Sequence, residues 1–74
     1  MKLIFVTPQE RSIIDNVGIV TIPGSEGSFT VLNRHAPLIS AIRKGDLRYD
    51  QNIRPIKEGV VEVKNDTVTV VTEN

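Results

Sequence analysis

The chain has no cysteine and a single histidine in 74 residues. Without cysteine there are no disulfide staples and no thiolate metal sites, so a core this small must be supplemented by tight packing or by a partner subunit. With His35 alone, a zinc site would need several scattered carboxylates, and the acidic residues instead alternate with basic ones as on a solvated surface. Charge of one sign is also missing: nine basic and nine acidic side chains cancel. No stretch concentrates either sign, which removes the footprint of a phosphate-backbone binder and argues against nucleic acid. Long apolar runs are absent. The longest, such as Leu3 to Val6, are far too short to span a bilayer, and only Lys2 stands before them with no cleavage signal. The reading is a cytosolic protein that can still sit against a membrane complex. At this length residues 1–74 form one domain, with no room for separate substrate and cofactor lobes.

Helix formers are scarce too, with two Ala and four Leu against ten Val, nine Ile and six Thr. β-Branched side chains favour pleated, half-buried surfaces, so the chain reads as strands. Lys2 to Thr7 is the first, closed by Pro8, which withholds a ladder donor. Ser12 to Ile14 is a short second. Val17 to Ile22 carries apolar residues on both faces and reads as an interior strand. Pro23, Gly24 and Gly27 then break the pattern, and Pro23 to Ser28 is expected to be a tight exposed loop.

Extended runs follow at Phe29 to Leu32, Leu38 to Ile42 and Asp46 to Tyr49, interrupted at His35 to Pro37 and around Lys44 and Gly45. Asp50 to Asn52 is turn-like. Ile53 to Ile56 contains Pro55, which confines it to an edge or bulge. The sharpest local signal is Gly59 to Thr72, where Asn65 and Asp66 stand between alternating valines and describe a two-residue hairpin. Seven or more short strands imply an all-β fold, a small β-sandwich of two mainly antiparallel sheets, because a lone sheet would leave an apolar face wet.

Chemistry finds little to hold. His35, Ser40 and Asp46 supply the residue types of a hydrolytic triad, but no nucleophile-elbow pattern surrounds Ser40, and the expectation is no catalytic residue and no metal. Gly24 to Ser28 has the glycines of a phosphate cradle yet lacks the Lys and following Ser or Thr of a P-loop, and Glu26 would repel phosphate, so it reads as a turn. Arg34, Arg43 and Lys44 mark either an acidic partner or solubilising charge. Phe29, directly after an exposed loop, is either core or the anchor of a contact.

The run Pro23-Gly24-Ser25-Glu26-Gly27-Ser28-Phe29-Thr30-Val31-Leu32, followed by His35-Ala36-Pro37-Leu38, resembles the epsilon subunits of F-type ATP synthases. Leu3 to Pro8, Ile42 to Arg48, and Gly59 to Val63 with Asn65 and Val68 to Val71 are similar to the same family in the same order. The resemblance implies an amino-terminal β-sandwich that is no enzyme by itself. It implies binding to the gamma subunit at the foot of the central stalk and to the membrane ring of c subunits, so that proton flow is coupled to ATP synthesis. By the same resemblance Ser25, Glu26, Gly27, Ser28 and Phe29 touch the c-ring, while Thr7, His35, Ala36, Pro37 and Leu38 face gamma. The place would be peripheral, at the cytoplasmic face of a bacterial plasma membrane, with no insertion into the bilayer and no cofactor.

Two departures from the family stand out. Asn33-Arg34 replaces a Pro-Gly commonly found before His-Ala-Pro, so a different backbone and a new ionic contact of Arg34 are expected there. The family's carboxy-terminal helical hairpin has no counterpart before Asn74, so neither a helical inhibitory arm nor its nucleotide site is expected. The competing reading is a free-standing β-sandwich module that recruits a peptide at an open edge near Pro55. The two differ in the surface they require. A rotor subunit needs one broad apolar patch and a separate polar loop, whereas a strand-binding module needs a long unpaired edge beside pockets.

Overall fold

A computed structural model describes residues 1–73. Among them are nine strands and no helix: β1 Lys2–Val6, β2 Arg11–Ile14, β3 Ile19–Gly24, β4 Gly27–Leu32, β5 Leu38–Ile42, β6 Gly45–Tyr49, β7 Asn52–Ile56, β8 Gly59–Lys64 and β9 Thr67–Thr72. The hydrogen-bonded order is β2-β1-β9-β8-β5-β3-β6-β7, with β4 on the other edge of β3. Every pairing is antiparallel except β1 with β9, whose register runs from Lys2↔Thr67 to Val6↔Val71.

The continuous sheet folds over on itself at β3. One edge of β3 pairs with β4 along its whole length, from Ile19↔Leu32 to Gly24↔Gly27. The other edge is shared: β5 takes it at Gly24↔Ile42 and β6 at Val20↔Tyr49 and Thr21↔Arg48. The chain crosses between them at Arg43 and Lys44, where the Arg43 N–H donates to the Pro23 carbonyl at 2.9 Å. The result is a first sheet β2-β1-β9-β8-β5 facing a second sheet β4-β3-β6-β7, as expected of a sandwich.

Alternation fills the space between them. Leu3, Phe5, Val61, Val63, Val68 and Val70 come from the first sheet and Val20, Ile22, Val31, Leu47 and Ile56 from the second, all buried. Strand β3 is interior, as its apolar residues indicate, although it begins at Ile19. Val17 precedes it and is buried all the same, with its N–H donating to the Met1 carbonyl at 2.9 Å. Strand β7 holds Pro55 and is an edge, paired with β6 alone among the described residues. Asn65 and Asp66 take φ of 52° and 56°, the backbone of a type I′ turn, between Lys64 and Thr67.

The expected loop over Pro23 to Ser28 shrinks to two residues, Ser25 and Glu26, because β3 continues through Pro23 and Gly24. A strand residue's N–H and C=O point to the same edge, so the donor that Pro23 lacks would face the gap between β5 and β6, where no ladder pair exists. Gly24 is required by space rather than by φ. A Cβ there would lie 2.6 Å from the Gly27 carbonyl oxygen and 3.0 Å from the Phe29 ring.

The far side of the sandwich is closed by side chains. Arg54 of β7 lies over the Phe5 ring with its guanidinium carbon 4.1 Å from the centroid, and donates to Glu10, in the β1–β2 turn, at 2.6 Å. Replacing Arg54 by Ala removes a cation–π contact and an apolar stem and is expected to cost about 1–2 kcal/mol. Glu10→Gln removes only a half-exposed ion pair, about 0.5 kcal/mol. Urea denaturation of the two variants checks this order; equal losses would mean that the ring contact contributes nothing.

Candidate functional site

Three features reach the surface from this frame: the β3–β4 tip, the segment before β5, and the outer face of the first sheet. At the tip, Ser25, Glu26, Gly27 and Ser28 are exposed. The tip is tied to the chain crossing beside it, since the Ser25 N–H donates to the Ala41 carbonyl at 3.0 Å and Arg43 Nη2 reaches Ser28 Oγ at a long 3.5 Å. Gly27 has φ +130°, and nothing stands within 4 Å of where its Cβ would be, so its backbone conformation, not crowding, selects glycine. Phe29 lies beneath the others. It faces inward opposite Ile22, is half-buried and packs against the core, so it supports the tip from within.

His35, Ala36, Pro37 and Leu38 lead into β5. The His35 N–H donates to the Leu32 carbonyl at 3.2 Å and its Nδ1 lies 2.8 Å from the Ala36 carbonyl, which ties the half-buried ring to its own turn. Ala36 and Pro37 are exposed, and Leu38 packs partly against the core. The preceding Arg34 takes φ 62° and its N–H donates to Asp66 Oδ1 at 2.9 Å. It stands where the family pattern has glycine, and its backbone adopts the left-handed form that glycine enters without penalty. That bond comes from the backbone, so glycine would supply it too, and the ionic contact expected of the Arg34 side chain does not occur among the described residues.

Thr7 does not join this group. Its Oγ1 accepts from the N–H groups of Gln9 and Glu10 at 3.3 and 3.1 Å and shapes the turn after β1. The register places Leu38 level with Val63, Val68 and Leu3, so Thr7 lies four residues further along β1 and three strands across. At about 3.3 Å per residue and 4.8 Å per strand this is on the order of 20 Å.

Between them lies a surface that the strand-by-strand reading did not locate. On the outer face of the first sheet, paired residues run across the strands as Val6, Val71, Val60 and Ala41, and in the next row as Ile13, Ile4, Thr69, Glu62 and Ile39. Ile39 is 73% exposed, Ile13 49%, Val71 47% and Val60 46%. The doublets Ile13-Ile14, Val60-Val61 and Val70-Val71 carried the signal, because in a strand one member of each must face away from the core.

The triad types do not assemble. Ser40 Oγ donates to the Ala41 carbonyl at 3.2 Å, the His35 ring is engaged with Ala36, and Asp46 pairs with Pro55 in the other sheet. No group of three His, Asp or Glu suited to a metal occurs among the described residues, and no helix there is long and apolar enough to cross a membrane.

Comparison with known proteins points one way. The family model for the ATP synthase delta/epsilon chain β-sandwich domain matches residues 1–74. The ATP synthase epsilon chain of Syntrophobacter fumaroxidans is 41% identical over 75 residues, covering 96% of this chain and 56% of the relative. That of Magnetococcus marinus is 39% identical over 72 residues, covering 92% and 53%. The chain thus spans about half the length of the curated relatives it matches. A chain in the central stalk and c-ring structure of the Tetrahymena thermophila mitochondrial ATP synthase has the same fold, with a TM-score of 0.86 over 99% of this chain and 63% of that one at 15% identity.

Proposed function

The chain belongs to the β-sandwich family of ATP synthase delta and epsilon chains, and on that premise we propose that it is a non-catalytic rotor-stalk subunit, binding a gamma subunit and a c-ring. The carrying observation is the family match over residues 1–74. The surfaces support it, because a broad apolar sheet face and a separate polar hairpin tip are what a coupling between two partners requires.

Strand β5 relates the two surfaces. Its Leu38 end follows His35, Ala36 and Pro37, and its Ile42 end pairs with Gly24 beside the tip. In this reading Ser25, Glu26, Gly27 and Ser28 meet the polar loops of the ring, with Phe29 holding the tip from below. The gamma contact begins at His35 to Leu38 and continues over the outer face through Ile39 and Val60 to Thr7 at the far end. Torque then passes through a body of paired strands, which shears less than a flexible linker. The position that follows is peripheral, at the cytoplasmic side of a bacterial membrane. The β7 edge is only five residues long and interrupted by Pro55, which gives little to an added peptide strand.

Light scattering on a column, with the chain alone and mixed with the gamma subunit of the same organism, tests the assignment. A one-to-one complex is expected. Ile39→Glu and Val60→Glu each place a charge on an already exposed position and should weaken the complex roughly tenfold or more while leaving the circular dichroism unchanged. If folded gamma and this chain elute apart at micromolar concentration, the coupling role is lost.

A further inference from the structure

The first sheet is open along one side of β5. Strand β5 pairs with β8 over its whole length, from Leu38↔Val63 to Ile42↔Gly59, while its other side meets β3 at Gly24↔Ile42 alone among the described residues. At that meeting the Ser25 N–H donates to the Ala41 carbonyl at 3.0 Å and the Arg43 N–H to the Pro23 carbonyl at 2.9 Å. These bonds come from the residues flanking Gly24 and Ile42, so Ala41 turns its backbone groups toward β3 and Ile42 turns its own toward β8. Alternation then aims both groups of Ile39, and the Pro37 carbonyl, along the same free edge.

Left without a backbone partner among the described residues are the Pro37 carbonyl, the N–H and carbonyl of Ile39, and the Ala41 N–H. The Ala41 carbonyl is in use, since it accepts from Ser25 and, at 3.2 Å, from Ser40 Oγ. Leu38–Ile42 has no charged side chain, and Ile39 is 73% exposed, more than any other large apolar residue described. An uncharged, exposed edge of this kind is a template for another strand.

A generic strand fits it imperfectly. Opposite Pro37 its carbonyl would find no donor, and opposite Ala41 its N–H would find an acceptor already in use. A second copy of β5, antiparallel and centred on Ile39, sets the two defects against each other, because Pro37 of each copy then faces Ala41 of the other. The Ile39 N–H donates to the second copy's Ile39 carbonyl and the Ala41 N–H to the second copy's Pro37 carbonyl, and both bonds repeat in the reverse direction. Strand β4 also has an open edge, but a pair about Thr30 would set the Ser28 N–H against the Leu32 carbonyl, which already accepts from His35. A net charge of zero adds no repulsion between copies. We infer that the free chain pairs with a second copy of itself through β5, joining the two first sheets into one and bringing the two Ile39 side chains together on the outer face. The inference goes beyond the rotor-stalk reading and does not need it; both contacts use Ile39, so the self-pair belongs to the chain without gamma.

One strand edge makes a small interface, and a dissociation constant on the order of 0.1 mM is expected. Sedimentation equilibrium of the chain alone should show the average mass rising from one copy toward two between about 10 µM and about 1 mM. The chain lacks cysteine, so a single introduced thiol reports the register. In the pair the two Ile39 Cα atoms stand about 5.5 Å apart, within disulfide reach. The two Val60 positions lie three strand spacings apart, at least about 14 Å. With oxidised glutathione accepting the two electrons, Ile39→Cys should form a covalent dimer about tenfold faster than Val60→Cys, which is exposed on the same face. A single-copy mass at every concentration up to about 1 mM, or equal cross-linking by the two variants, would overturn the inference. A chain that stays single and still binds gamma sinks the self-pair alone, whereas one that pairs with itself and ignores gamma sinks only the rotor-stalk reading.

Discussion

Gly59→Ala is expected to be among the most destabilising single substitutions in this domain. A Cβ at Gly59 would lie closer to the Val71 carbonyl oxygen than such atoms come in real proteins, and 2.9 Å from both Cα and Cγ2 of Thr72. The obstructing atoms are mostly backbone, held by the β8–β9 ladder from Gly59↔Thr72 onward, so no rotamer change relieves them. Overpacking in a formed core typically costs 1–3 kcal/mol, and backbone obstruction places this case at about 3 kcal/mol or above. A domain of this length has roughly 4–11 kcal/mol in all. The drop in Tm should exceed roughly 12 °C. Gly45→Ala is the control. Its Cβ would meet Pro23 Cβ at 3.3 Å, an adjustable contact, and its loss should stay below about 1 kcal/mol. Similar denaturation midpoints for the two variants would contradict the geometric account.

Phe5→Ala should be comparably damaging for the opposite reason, by emptying space. Phe5 is among the largest fully buried side chains, and its ring meets Tyr49 across the sandwich with centroids 6.0 Å apart and planes inclined at 59°. Removing a buried phenylalanine costs about 3–5 kcal/mol in transfer and cavity terms. Here Arg54 also loses the face it lies on, and with it the seam between β1, β2 and β7 loosens. Phe5→Leu keeps most of the volume and should recover about half of the loss. Chemical denaturation with both variants decides the matter. If Leu and Ala are equally destabilising, the specific ring contacts with Tyr49 and Arg54 matter more than the volume.

The formation of strands was decided locally. Val, Ile and Thr at alternate positions make extended backbone the favoured state wherever Gly, Pro or Asn-Asp does not interrupt, and Leu38–Ile42 and the Gly59–Thr72 hairpin have the bounds their residues indicate. Pro55 likewise placed β7 at an edge through its own missing donor. The candidate tip and the His35 to Leu38 run were legible because their glycines, prolines and family-like spacing lie within a few residues of one another. Pro23 was misleading for a tertiary reason. Whether a proline ends a strand depends on whether a neighbour needs its N–H, and at β3 the gap between β5 and β6 holds no ladder pair that would call on that donor.

By itself, then, the sequence determined an all-β chain, its turns, its family resemblance and the residues at its exposed tip. Only the tertiary structure decided which strands are neighbours. The parallel β1–β9 pairing joins residues more than sixty positions apart in the chain, and that pairing aligns Val6 with Val71 and Ile4 with Thr69 into an outer face. The same arrangement separates Thr7 from His35 and brings Asp66 of the β8–β9 turn to the Arg34 N–H. Turns and strands follow from backbone preferences of a few adjacent residues, whereas register across a sandwich depends on how both faces of every strand are filled together.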